Sequence, residues 1–221
     1  MIIGIECPSC GMTPFSHLER ERCLPQPILK ALVQYPRRSE PNEFSISELC
    51  NDLGYAFSDR TTETYATLGN LYAIQRERSL HKDLLAKFPF KEEEGSMDFA
   101  GGDVQMVVHG KLDGYEPSEG VITELKTVTD VRRITQVRMK DELQAQCYGT
   151  LFKSSLVRVS GLRLMYVDMS GWKIFPVPLS DKTEFIKSRA STLYEALRTR
   201  SPPRDSIFSS AFSTSRARAS G

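Results

Sequence analysis

The feature that most constrains this chain is a change of period at Val104. Upstream, from residue 61 to 88, apolar residues recur at helical intervals. From Val104 the sequence VQMVVHGKLDGY reads as a strand, EPSEG as a turn and VITELKTV as a second strand. Two strands joined by a short turn make a hairpin. It brings Asp113, near the end of the first strand, close to Glu124 and Lys126 in the second. Two converged carboxylates repel unless a positive charge sits between them. A hard divalent cation bound through oxygen, Mg²⁺ or Mn²⁺, fits such a pair, and it acidifies a bound water. Lys126 then acts on that water or on charge developing at phosphorus, which is the make-up of a phosphodiester hydrolysis site. The bland alternatives are a Glu-x-Lys pair on a solvated strand face and an Asp-Gly turn.

The remaining elements give the fold class. Residues 1–25 read as short, cysteine-rich and irregular, and ILKALVQY, among the prolines of residues 26–42, as a short helix. SISELCNDLGYAF reads as one helix, opened by a capping box of Ser45 and Glu48 and stopped at Gly54. In the next helical stretch Tyr65, Leu68, Leu71 and Tyr72 form a stripe, and KEEEGSMDFAGGD breaks it. DVRRITQVRMK is basic and irregular; KDELQAQCYGTLFKSSL is a helix. LRLMYVDMSGWKIFPVPL is a hairpin turning at Ser170 and Gly171, and DKTEFIKSRASTLYEALRTR is a closing helix capped by Asp181. This order predicts an α/β protein with a central mixed sheet flanked by helices. The domains expected are a cysteine-rich segment over 1–42, a main domain over 43–200 and a disordered tail over 201–221.

Composition narrows the partners. A hydrophobic share of 40% and a charged share of 26% fit a soluble protein, and no apolar run reaches membrane-spanning length. With no signal-like start, the chain reads as cytoplasmic. Net charge is +1, so a nucleic-acid site has to be a local patch. Arg132, Arg133, Arg138 and Lys140 form one between the second strand and the following helix, well placed for phosphates; the alternative is a solvated loop.

Gln144 follows Lys126 by eighteen residues, and at four-residue spacing Gln144 and Tyr148 share a helix face. The series GKLDGY, VITELKT and QAQCYG resembles the motifs of RecB-like nucleases of the PD-(D/E)XK superfamily: G-x-x-D, (D/E)-x-K and Q-x-x-x-Y. FSISELCNDLGYAF is similar to the first helix of the CRISPR-associated exonucleases of that group, Cys50 standing at their cysteine position. The resemblance covers roughly residues 43 to 200. It implies a restriction-endonuclease-like fold and a divalent-metal-dependent DNA nuclease, an exonuclease on DNA ends or single strands. Asp113, Glu124 and the Leu125 carbonyl would hold the metal, Lys126 would act on the attacking water, and Gln144 and Tyr148 would position DNA or support the site. With no fused helicase in the sequence, the expectation is a protein that acts alone or with a separate helicase, recombination or CRISPR-adaptation partner.

Two departures matter. The family's histidine ligand, in G-x-x-x-H, is replaced here: Gly69 leads to Ala73. His81 lies two turns further on and reads as a surface or partly packed histidine ahead of a substitute ligand; Glu77, one turn beyond Ala73, is the alternative carboxylate that would reach the metal instead. The alternative function is therefore a catalytically impaired relative acting as a DNA-binding or adaptor subunit. Many of these relatives also hold an iron–sulfur cluster with three C-terminal cysteines, and after Cys147 this chain has none. Its N-terminal CPSCG instead has the spacing of a metal knuckle. Cys7, Cys10 and Cys23, with His17 or Cys50 as fourth ligand, suit structural Zn²⁺ ahead of iron; the alternative is free thiols.

Overall fold

The computed structural model describes residues 2–7, 11–14, 40–86, 91–155 and 158–203. The chain packs as two units, 1–38 with 58–89, and 39–57 with 90–221. The first is not the N-terminal segment alone. Strands β1 (Ile2–Cys7) and β2 (Gly11–Pro14) form an antiparallel hairpin where irregular chain was expected. Strand β4 (Thr64–Thr67) adds in parallel to β1, giving the order β2-β1-β4. That parallel pairing draws residues after 58 into this unit and displaces the boundary expected at residue 42. The helical stripe expected from Tyr65 begins later, because Tyr65 lies on β4 and helix α3 spans Leu68–Leu85. Leu71 is buried, but Tyr72 is 63% exposed. The short helix expected in 26–42 and the tail beyond Pro203 lie outside the described residues.

The second unit is a six-stranded mixed sheet with helices. Strands β3 (Glu43–Ser45), β6 (Val104–Glu116), β7 (Val121–Thr127), β8 (Gly161–Asp168) and β9 (Gly171–Val177) lie side by side in that order. Strand β5 (Lys91–Gly101) pairs antiparallel with β6. It occupies the acidic, glycine-bearing stretch read as a break. Its outward residues Glu94, Ser96 and Asp98 are exposed, and Gly95, Met97 and Phe99 alternate with them. Period two was present, but weak apolar residues concealed it. β7 and β8 are parallel, connected through helix α4 (Met139–Ser154). β8 and β9 form the expected hairpin. Among the described residues no helix is long and apolar enough to cross a membrane.

The predicted helix at SISELCNDLGYAF is two helices. The capping box at Ser45 and Glu48 opens α1 (Ile46–Leu49). The chain then breaks at Cys50, and Asp52 restarts it by accepting the Tyr55 N–H at 2.8 Å, giving α2 (Leu53–Thr61) with Gly54 in its first turn. The break leaves carbonyls without intrahelical donors. Buried Arg189, from the closing helix α5 (Thr183–Thr199), donates to the carbonyls of Leu49 and Asn51. Asp181 accepts the Thr183 N–H at 2.9 Å at the start of α5.

Helix α4 is buried from Gln144 to Phe152. Its polar residues there are answered: Gln146 donates to the Pro178 carbonyl, and Thr150 Oγ1 accepts the Lys182 N–H at 2.9 Å. Two facing glycines let α4 approach the sheet, Gly95 on β5 and its cross-strand partner Gly110 on β6. A Cβ on Gly95 would stand 3.0 Å from Phe152, and one on Gly110 2.7 Å from Tyr148 and 2.9 Å from Leu151. Gly110→Ala is therefore expected to destabilise the protein by about 1–3 kcal/mol through overpacking, measured as a shift of the urea midpoint at unchanged m-value.

Candidate active site

The site starts from an irregularity in β6. Lys91 of β5 pairs with Tyr115, whereas Glu93 pairs with Leu112. Two residues on β5 thus span three on β6, which is a β-bulge at Asp113 and Gly114. The bulge lets Leu112 and Tyr115 both face the core. It also turns Asp113 toward β7. The last paired residues of the two strands are Gly114 and Thr123. Just past them, the Leu125 N–H is met at 2.8 Å by Asp113 Oδ2. Glu124, the residue before Leu125, is thereby held next to Asp113.

Glu124 is only 3% exposed. Its Oε1 receives the Lys126 ammonium at 2.8 Å and the Gln144 amide at 3.1 Å. Gln144 Oε1 accepts from Lys126 at 3.0 Å, closing a triangle, and Gln144 Nε2 also reaches the Tyr148 hydroxyl at 3.3 Å. The structure thus brings together Asp113, Glu124, Lys126, Gln144 and Tyr148 from β6, β7 and α4. Burial pulls the Lys126 pKa down, but the Glu124 charge and hydrogen bond, with Asp141 and Asp113 behind them, outweigh it and hold it above its ordinary value. Burial, then the Glu124 charge, pushes the Tyr148 phenol up, so it stays protonated and keeps a donor.

The basic segment is an ordered loop. A 3₁₀ turn at Val131–Arg133 is followed by an extended stretch to α4. Arg132 and Arg133 side chains are 80% and 87% exposed and share Asp130 as ion-pair partner. Arg138 and Lys140 are also exposed. Three residues that the sequence reading passed over hold this loop, all on the β8–β9 hairpin. Asp168 Oδ2 accepts the Val131 N–H at 2.6 Å. Lys173 donates to the carbonyls of Arg132 and Ile134 at 3.1 and 2.8 Å. The Tyr166 hydroxyl accepts the Arg138 N–H at 3.1 Å and donates to Asp141 at 2.8 Å. Arg138 also lies over the Tyr166 ring, 5.8 Å from its centroid. Tyr166 pairs with Lys126 on one side and Lys173 on the other, so the three form one row across the sheet. Burial, and donation to Asp141, push the Tyr166 phenol up to about 12. No local pattern marks these residues, because their partners lie 25 to 41 positions away.

The cysteines separate. Cys50 is fully buried, its thiol hydrogen-bonded with that of Cys147; this bond and burial push Cys147 well up. Both are free thiols. Cys7 ends β1, and the knuckle's Cys10, His17 and Cys23 lie outside the described residues. Ala73, Glu77 and His81 fall on α3, in the first unit. Among the described residues no group of three or more His, Cys, Asp or Glu gathers to hold a metal. The donors at the bulge are two carboxylates with the Leu125 main chain between them. This oxygen-only set is of the kind Mg²⁺ or Mn²⁺ accepts.

No family model matches the chain, and no curated protein matches it in sequence. Its fold is similar to that of a solved structure, the crystal structure of SSO0001, with a TM-score of 0.55 and 16% identity over 80% of this chain and 87% of that one. At this identity the likeness concerns the fold.

Two outcomes follow from the geometry. Lys126→Met should cost about 3 kcal/mol, because it leaves buried Glu124 without its cation, and adding Glu124→Gln should restore most of it; urea melts of both variants measure this. Asp168 is held down to about 2, first by the Val131 N–H and then by the Ser170 hydroxyl. A depressed carboxylate stabilises above its unfolded value and loses that contribution as pH falls through the folded one. Asp168→Asn should therefore lower the melting temperature at neutral pH, with the gap to wild type closing as pH falls from about 4 toward 2.

Proposed function

We propose that the chain is a divalent-metal-dependent DNA nuclease, a RecB-like member of the PD-(D/E)XK superfamily with a restriction-endonuclease-like core, acting as an exonuclease on DNA ends or single strands. One observation carries the reading: Glu124, Lys126, Gln144 and Tyr148, from β7 and α4, form one hydrogen-bonded cluster in which the carboxylate and the cation are already paired, and Asp113 from β6 is fixed beside it on the Leu125 N–H.

Asp113, Glu124 and the Leu125 carbonyl are the groups that would hold Mg²⁺ or Mn²⁺. When bound, such an ion supplies Lewis acidity and acidifies water. The protein's own groups do the rest. Lys126, held by Glu124 and Gln144, presents a positive charge where charge develops on a phosphate. Gln144 fixes both members of that pair, and Tyr148 fixes Gln144. The exposed Arg132, Arg133, Arg138 and Lys140 neutralise neighbouring phosphates and set the register of the strand.

A second reading, a DNA-binding or adaptor subunit without catalysis, draws on Ala73 standing where the similar nucleases carry a histidine. The deciding experiment uses end-labelled single-stranded DNA with Mg²⁺, Mn²⁺ or EDTA, and compares wild type with Glu124→Ala. The nuclease reading expects metal-dependent cleavage that falls at least about 100-fold in the variant. Folded wild-type protein that cuts nothing with either metal, yet binds the strand, would move the assignment to the adaptor.

A further inference from the structure

We propose that the β8–β9 hairpin is a clamp that fixes the basic loop as a preformed rail for a single-stranded nucleic-acid backbone, with Asp168, Tyr166 and Lys173 as its positioning residues. The proposal rests on the nuclease reading and adds to it the part that seats the substrate.

The loop runs from the last residue of β7 to the first of α4, so it borders the carboxylate cluster at both ends. Its cationic side chains point to solvent, whereas its main chain is gripped from below at Val131, Arg132, Ile134 and Arg138. Buried Val131 and Ile134 supply apolar pegs between these grips. Asp130 holds Arg132 through Nε and Nη2, which fixes the plane of that guanidinium. Arg138 is fixed twice, by its N–H on the Tyr166 hydroxyl and by its guanidinium over the Tyr166 ring. Ordering before binding removes the entropic cost of ordering during it. Lys173 spends two bonds on the loop, and Tyr166 divides its hydroxyl between the loop and Asp141. Asp168, with one oxygen on Val131, uses the other to build its own hairpin turn through Ser170 and Gly171. A phosphate backbone is the occupant that fits because the exposed groups are cations at the mouth of a site built for phosphodiesters.

Charge and clamp predict opposite signs for one substitution. Asp168→Asn removes a negative charge close to Arg132, so electrostatics alone would tighten binding of an anion. A clamp role predicts weaker binding, because the loop is released. The test is fluorescence anisotropy of labelled oligothymidylate with the full chain in EDTA, over a series of KCl concentrations. For Asp168→Asn the expected result is about five-fold weaker binding at low salt and a log–log salt slope shallower by about 0.7 for each phosphate that the released loop no longer neutralises. Tyr166→Phe keeps the ring and removes both hydroxyl bonds; it should shift the slope likewise, and adding Arg138→Ala to it should weaken binding less than Arg138→Ala does in wild type. If buried Tyr166→Phe fails to fold, Asp168→Asn, a change at a partly exposed turn, carries the test. Wild type that binds with a steep salt slope, beside an Asp168→Asn variant that binds as tightly or tighter at the same slope, overturns the clamp alone. Wild type that binds no oligothymidylate at any salt overturns the single-strand form of the nuclease reading and the clamp together.

Discussion

A carboxylate almost removed from water has to be neutralised where it stands, and Glu124 sets that condition for the rest of the second unit. Desolvating an ion costs several kcal/mol, which is recovered only when its partners are close and well aligned. Lys126 supplies the charge from the same strand face, two residues along. Gln144 supplies a donor to Glu124 and an acceptor to Lys126, and it does so only if α4 sits at one height and rotation over β7. The position of the helix is thus part of the electrostatic solution.

The helix reaches that position because of what the strands omit. Gly95 and Gly110 lack side chains where Phe152, Tyr148 and Leu151 descend on the β5–β6 pair. The glycine of GKLDGY therefore has a steric reason to precede Asp113 by three: it seats the Tyr148 ring while the bulge, beginning at Asp113, turns the acid toward β7. One short stretch of β6 sets both the depth of the helix and the aim of the carboxylate.

The parts of this arrangement legible in the sequence were those with local signatures. The hairpin of β6 and β7, the α4 pair Gln144 and Tyr148, the Ser45–Glu48 box and the hairpin of β8 and β9 are written in short patterns, and all four occur in the structure, the last turning at Met169 and Ser170, one residue before the expected Ser170 and Gly171. Strand β5 was missed because its inward residues include Gly95, so alternation carried little hydrophobic contrast. The helix break after Leu49 was missed because the carbonyls it frees are satisfied by Arg189, about 140 residues away. The bulge has no signature of its own, since an extra residue shows only against a partner strand. The grips of Asp168, Lys173 and Tyr166 on the loop are likewise long-range. Sequence pattern located the clustered polar groups, and tertiary pairing determined how they are held.

Stability alone gives no reason for this cluster. An apolar set of similar volume at Glu124, Lys126 and Gln144 would pack between β7 and α4 with no desolvation cost, and such replacements are commonly neutral or stabilising. Buried thiols at the neighbouring α1–α4 contact, Cys50 and Cys147, show the chain using small, weakly polar groups where only packing is required. The contrast between those two buried spots, one nearly apolar and one ionic, lies within a single helix: Cys147 and Tyr148 are adjacent, and the helix turns one toward α1 and the other toward Gly110. α4 is therefore divided lengthwise between a face that holds the fold together and a face that maintains charge at the bulge. The second face costs stability, and phosphodiester chemistry at the bulge is the reading that gives that cost a use.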